Sequence, residues 1–588
     1  MGKTVRIGCS SAFWGDTSTA AEQLVTKGNI DYLVADYLAE ITMSILALKR
    51  MRDPAAGYAD DFVEVLTPLL GAIKTQGIRV AVNAGGLNPA ACCAALRDAA
   101  EQAGVTLSIA HVGGDDLLPR QKEFADCRDL DTDAAMPRGL VTMNAYLGAL
   151  PIRDAFLQGA EIVVTGRCAD SALVLGPLMA EFGWGEDDYD RLSAGSLAGH
   201  IIECGAQCTG GNFTDWRDVP GFDDMGFPIV EVQDDGSFEV GKPDGTGGLV
   251  SPLSVGEQLV YEIGDPGAYV LPDVICDWTD VALEASGPDR VRVSGARGRA
   301  PTGHYKVSAT YPSGFRTMVS FVVGGLEAPA KGQAAADAIF AKVGRMLEAA
   351  GLGGFLQTHV ELIGAEAMYG PHAQVAPREV TVRMVATHAN RDALKLFGRE
   401  VAQAATGMVP GITGYSGRPS VTPIVRLFTT LVPKQAVPVT VQVGEAVSDV
   451  AIPAGGSASA SPTLDGLGLD AVDAGPQTVP LIRLAVARSG DKGDHSNIGV
   501  IARAAEYLPF IEQALTADAV KAYFGYLLDG EVSRWAMPGI GGYNFLLRHS
   551  LGGGGIASLR TDPQGKCHAQ MLLSFPIPVS AEIARRFD

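Results

Sequence analysis

The chain is short of basic residues: 46 Lys and Arg stand against 67 Asp and Glu, for a formal net charge of −21. So acidic a surface repels phosphate backbones and anionic lipid headgroups, which argues against nucleic acid and membrane as partners. A small anionic ligand stays within reach, because a few Arg and Lys side chains and helix N-termini hold one locally. Paired cysteine motifs are missing too. The nine cysteines (Cys9, Cys92, Cys93, Cys127, Cys168, Cys204, Cys208, Cys276 and Cys567) are scattered, odd in number and form no CxxC pair. That pattern speaks against a disulfide scaffold and fits reduced thiols in a cytoplasmic protein. No apolar run approaches the roughly 20 residues that a bilayer span needs. The segment from Met1 to Ser11 lacks the charged start and long apolar stretch of a signal peptide. No GxxxxGK[ST] loop occurs and no GxGxxG follows the first predicted strand, so nucleotide hydrolysis and Rossmann-type NAD binding lack their fingerprints. No segment recurs at a fixed period.

What is present points to a folded, multidomain chain. Its 588 residues exceed the ~250–300 at which single cores stop growing. Hydrophobic residues make up 47%, enough for burial to offset the entropy of ordering. Over the first ~180 residues, short apolar runs alternate with helical patterns, as in a parallel sheet with crossover helices. The expected strands are Val5–Ser10, Tyr32–Ala35, Arg79–Asn83, Thr106–His111 and Glu161–Thr165. Expected helices include Asp61–Thr75 and Pro89–Ala103, the latter with Pro at its first position and Gly104 beyond its end.

From about Phe227 short alternating segments, such as Arg290–Ser294 and Tyr305–Ala309, predict an α+β region. A helix at Gln333–Ala350 and a strand at Val380–Thr387 follow. Residues 437–478 are rich in Ala, Gly, Ser, Pro and Val and read as a linker. The expected fold is thus α/β: an N-terminal, mostly parallel sheet with crossover helices, a middle α+β region and a small C-terminal α+β domain. Residues 1–436 form the core region, with room for a subdomain break near 220–230, and residues 479–588 form the C-terminal domain.

Polar residues gather just after the predicted strands, at Asp36, Asn83 and Arg167, and ligands bind at the carboxyl ends of strands in such sheets. Arg167, with a planar fork suited to carboxylate or phosphate, is a candidate ligand clamp. Asp170 either joins the site, caps a helix or simply pairs with Arg167. If Leu197–Cys208 is a helix, His200, Glu203 and Cys204 share one face. Glu203 is then a candidate general acid/base with His200 assisting. The same three residues suit a metal, although a zinc site needs a further ligand. Gly245-Thr246-Gly247 is a candidate phosphate-approaching loop, a weak signal in a chain with 72 glycines. Ser489–Gly499 is the densest polar stretch; there Lys492 is a candidate anion contact and Asn497 a hydrogen-bonding partner.

Together these segments resemble the AtuA family, named for acyclic terpene utilization. The likeness lies in Asp31–Glu40, Asn83–Pro89, Thr165–Asp170, Gly199–Cys204, Gly210–Phe213, Gly245–Gly248, Arg488–Gly493 and Asn544-Phe545. The resemblance implies a ferredoxin-like C-terminal domain and a role in catabolism of branched acids through coenzyme A thioesters. The substrate class it implies is a branched (hydroxy)acyl-CoA, and the reaction expected is that of a lyase or hydratase. Two alternatives stand beside it: a non-catalytic partner of an acyl-CoA carboxylase, and a lyase using a divalent metal. No other cofactor is expected, and a homo-oligomer is.

Overall fold

A computed structural model describes residues 2–417, 419–457, 464–555 and 557–587. Five strands lie at the centre of its largest sheet: Thr4–Cys9, Tyr32–Ala35, Arg79–Val82, Ile162–Val164 and Ile109–Gly113, in that spatial order. All four pairings among them are parallel. Helices cover both faces, so the strands read as continuous apolar runs rather than alternating ones. The helix Pro89–Gln102 starts where expected, with Asn88 accepting a hydrogen bond from the Ala91 N–H at its cap. The expected helix Asp61–Thr75 is broken into Asp60–Leu66, a tight turn Thr67–Leu69 and Leu70–Gln76. Pro68 explains the break, since it has no N–H to continue the ladder.

The sheet is parallel only at its centre, which corrects the expectation of a mostly parallel sheet. Ile229–Gln233, Phe238–Gly241, Arg290–Ser294 and Ala282–Gly287 extend one side antiparallel. Thr440–Val443 and Ala446–Asp449 extend the other, making eleven strands. The segment after residue 227 therefore returns to the first sheet rather than starting a separate one. The predicted linker is corrected as well: its first part is a hairpin. Val437, Val439 and Val441 are buried in the main core, a period-two pattern that outweighs the small-residue composition. Residues 458–463 of the predicted linker lie outside the described residues.

The middle region is built on one 21-residue strand, His304–Gly324. It pairs with Val421–Pro433 and Glu379–His388 and is covered by the helix Ala328–Ala349. It also pairs with Thr142–Ala145, which ties this layer to the first region. The C-terminal unit is a four-stranded antiparallel sheet, in the order Ala485–Lys492, His495–Ala502, Gly542–Leu547, Val532–Met537. No described helix is long and apolar enough to cross a membrane.

The hairpin at residues 440–449 is open to a direct check. Val441 is fully buried, so Val441→Asp places a carboxylate without a partner in the core. We expect a loss of about 2–4 kcal/mol, read as a lower urea midpoint. A free linker would tolerate the change.

Candidate functional site

The carboxyl ends of the central strands meet in one polar cleft. Asp36 follows Tyr32–Ala35 and is buried; Asn83 follows Arg79–Val82. The Asn83 Nδ2 donates to Asp36 Oδ1 at 2.6 Å, and its Oδ1 accepts from the Tyr37 N–H at 2.7 Å. Asn83 is thus turned inward and fixes Asp36. Arg167 follows Ile162–Val164 across Gly166, where a Cβ would sit 2.5 Å from the Asp115 carboxylate. Its Nη1 donates to Leu38 O and to Asp170 Oδ1, both at 2.8 Å. The simple ion pair with Asp170 is therefore formed. The guanidinium also lies 4.2 Å over the Tyr146 ring, and Lys306 Nζ approaches the same ring at 4.6 Å. Tyr146 in turn donates to Glu40. Burial alone would raise the Glu40 pKa, but Lys306 and Arg167 overcome it and hold the group at about 2.

The helix Tyr189–Ile202 brings His200 to the cleft. Gly199 lets this helix pass close to Ser171, whose backbone a Cβ would meet at 2.7 Å. His200 Nε2 faces Leu259 O at 3.2 Å. A carbonyl only accepts, so Nε2 carries the hydrogen and Nδ1 is bare. That Nδ1 lies 3.4 Å from Glu203 Oε1. Burial, reinforced by Lys492, pushes His200 down to about 4, so the imidazole is neutral. Burial and then the charge of Asp170 push Glu203 well above the carboxylate range. Glu203 thus holds its proton more tightly than a solvated carboxyl does, beside an imidazole lone pair.

Cys204 does not join this pair. The helix ends at Ile202, Gly205 takes φ +56°, and the expected helix Leu197–Cys208 does not form. Among the described residues no three His, Cys, Asp or Glu side chains are placed to hold a metal ion. The donor set does not fit the divalent ion considered from the sequence.

The C-terminal unit completes the cleft. Ser489–Gly499 is not a loop but two paired strands joined at Gly493-Asp494. Lys492 ends the first strand, with Nζ 3.4 Å from Tyr269 Oη. Tyr269, Glu262 and Glu203 raise its pKa against the effect of burial. Glu262 pairs with Lys566 at 2.8 Å and sits in the left-handed region at φ +54°. Lys566 also lies 3.7 Å from Asp491. Asn497 is spent on this junction rather than free for a ligand. Its Oδ1 accepts from the Glu262 N–H at 2.9 Å, and its Nδ2 donates to Val260 O (2.6 Å) and Asn544 Oδ1 (2.9 Å). The Asn544 Nδ2 reaches Ile263 O and Gly264 O.

The Gly-rich loop does not join the cleft's hydrogen bonds or ion pairs among the described residues. The Gly247 N–H donates to Asp224 O and the Gly248 N–H to Pro220 O, both at 2.7 Å. Thr246 Oγ1 donates to Pro243 O, and Gly245 simply turns at φ +73°. The close approach served by these glycines is to Gly221, whose carbonyl a Gly247 Cβ would meet at 2.1 Å. Of the expected residues, Asp36, Arg167, Asp170, His200, Glu203 and Lys492 converge. Glu40, Tyr146, Tyr269, Glu262, Lys306 and Lys566 join them with no motif of their own to mark them; Glu40 alone closes one of the family-like runs.

Asp115 offers a test of this burial. It accepts from the Arg167 N–H and the Asn144 amide, yet burial raises its pKa from 3.8 to about 7. The folded chain thus holds a proton there that the unfolded chain releases, and stability falls as pH rises from about 4 to about 7. Asp115→Asn removes a loss of up to roughly 4 kcal/mol. Urea midpoints at pH 4.5 and pH 8 are expected to differ less in the variant than in the natural chain.

The family model described as acyclic terpene utilisation family protein AtuA matches residues 5–443, and that of the AtuA ferredoxin-like domain matches residues 479–578. No curated protein matches the chain. The two matched segments both contribute charged side chains to one polar site, and the chain belongs to the AtuA family.

Proposed function

We propose that the cleft acts on a branched (hydroxy)acyl-CoA thioester as a lyase or hydratase, within the acyclic terpene utilisation that the family's name denotes. The observation that carries the reading is the Glu203 carboxyl, its pKa raised by burial and the charge of Asp170, 3.4 Å from the Nδ1 of His200. A carboxylic acid kept protonated near neutral pH is what departure of a hydroxyl group requires. In the dehydration direction Asp170 takes the proton α to the thioester carbonyl. The electron pair forms the C=C bond, the C–O bond breaks, and Glu203 delivers its proton to the leaving hydroxyl as water. His200 orients Glu203 through Nδ1. In the hydration direction the steps reverse.

The cations explain how an acidic chain holds an anionic thioester. Arg167, Lys306 and Lys492 stand around the carboxylates, so the local field is far less negative than the net charge of −21. Arg167 is fixed by Leu38 O and Asp170, which makes it a preorganised contact for a carbonyl or carboxylate oxygen.

The reading is tested with purified protein and a panel of branched enoyl- and 3-hydroxyacyl-CoA thioesters. Glu203→Gln keeps the shape of the site and is expected to lower kcat by about 10²–10⁴-fold. Lys492→Met is expected to raise KM more than it lowers kcat. A folded natural chain that converts no member of the panel rejects the proposal.

A further inference from the structure

A second cavity, of about 660 Å³, lies between the strand Gln357–Ile363 and the C-terminal unit. Small-molecule sites commonly enclose about 300–1,000 Å³. Val360, Leu362, Leu527 and Met571 give it an apolar wall. The charged groups on that wall are already engaged within the protein. Asp562 accepts from the backbone N–H groups of Lys566 (2.9 Å) and Cys567 (2.7 Å). Arg560 donates to the carbonyls of Ser550 and Leu527. Glu361 is held by Arg383 and Thr561, with His359 at 3.3 Å. These groups spend most of their hydrogen-bonding capacity within the protein.

Two imidazoles line this wall: His359, whose Nε2 is buried without a hydrogen-bond partner among the described residues and lies beside Glu361, and His568. His568 lines the cavity and is almost fully buried. Its protonation follows from counting hydroxyl hydrogens. Ser550 Oγ donates its single hydrogen to Leu547 O at 3.0 Å. In the 2.9 Å contact between Ser496 Oγ and Ser550 Oγ, Ser496 is therefore the donor. With that hydrogen used, the 2.8 Å contact between Ser496 Oγ and His568 Nδ1 requires the hydrogen on Nδ1. His568 Nε2 is then a lone pair with no protein partner among the described residues. Burial pushes the ring down to about 4, which keeps it neutral.

We propose that this cavity binds an uncharged aliphatic molecule bearing a hydroxyl group, its O–H donating to His568 Nε2 and its chain lying along Val360, Leu362 and Met571. The site is independent of the acyl-CoA reading. It shares one loop with the cleft: Asp562 and His568 line the cavity, while Lys566 between them pairs with Glu262.

The full chain is titrated with 1-hexanol and with 1-methoxypentane, an isomer that keeps the oxygen and loses the O–H, by calorimetry and ligand-observed NMR. The alcohol is expected to bind about ten-fold more tightly than the ether, the effect of one buried hydrogen bond. His568→Phe is expected to abolish that preference. Val375 lines the rim and is exposed, so Val375→Trp is expected to block the alcohol with an unchanged melting temperature. Equal binding of ether and alcohol, or an unchanged Kd for the alcohol in Val375→Trp, overturns the proposal. If His568→Phe does not fold, those two measurements still decide it.

Discussion

Two buried asparagines on neighbouring strands of the C-terminal unit hold the backbone of residues 260–264 in the core region. Asn497 and Asn544 satisfy the Glu262 N–H and the carbonyls of Val260, Ile263 and Gly264. Buried backbone groups without partners cost about 1–3 kcal/mol each, so the turn depends on these side chains. Glu262 occupies a left-handed backbone conformation within it, one that persists only where surrounding contacts over-determine it. The same junction carries Lys492 and Lys566 to the carboxylates of the first region. The contacts that join the two units are thus the ones that bring these lysines to the carboxylates.

Charge explains the composition of the cleft. Asp36, Asp170, Glu203 and Glu262 crowd together, and like charges in a desolvated site cannot all ionise without cations. Arg167 and Lys492 supply opposing charge from different units, yet burial first and the charge of Asp170 second still raise the pKa values of Asp36 and Glu203. Glu40 shows the opposite outcome in the same cleft, because Lys306 and Arg167 stand beside it. Placement alone pushes the pKa of one carboxyl up and that of another down.

Local pattern reveals part of this. The strand Tyr32–Ala35 is recognisable from its unbroken apolar run, and the helix from Pro89 by its proline and the asparagine before it. Asp36 and Arg167 stand out because polar residues follow such strands. Pattern misleads where two signals compete. The valines at 437, 439 and 441 sit in a small-residue stretch that resembles a linker, and the glycines at 245–248 resemble a phosphate loop although they serve close packing on Gly221. Asn497 looks like a ligand contact because its chemistry suits one, but that capacity is consumed by backbone 235 residues away.

The amino-acid sequence by itself determined the apolar strand cores, the acidic balance, the family and the polar ends of the central strands, because each is read from residue types and short runs without knowing which distant segments meet. Tertiary structure alone decided that Tyr269, Lys306 and Lys566 face the same cleft, that Glu203 rather than Cys204 stands with His200, and that Lys492 arrives from a separate unit. Those outcomes depend on burial and on charges brought together across hundreds of residues, and neither desolvation nor distant neighbours leave a local pattern.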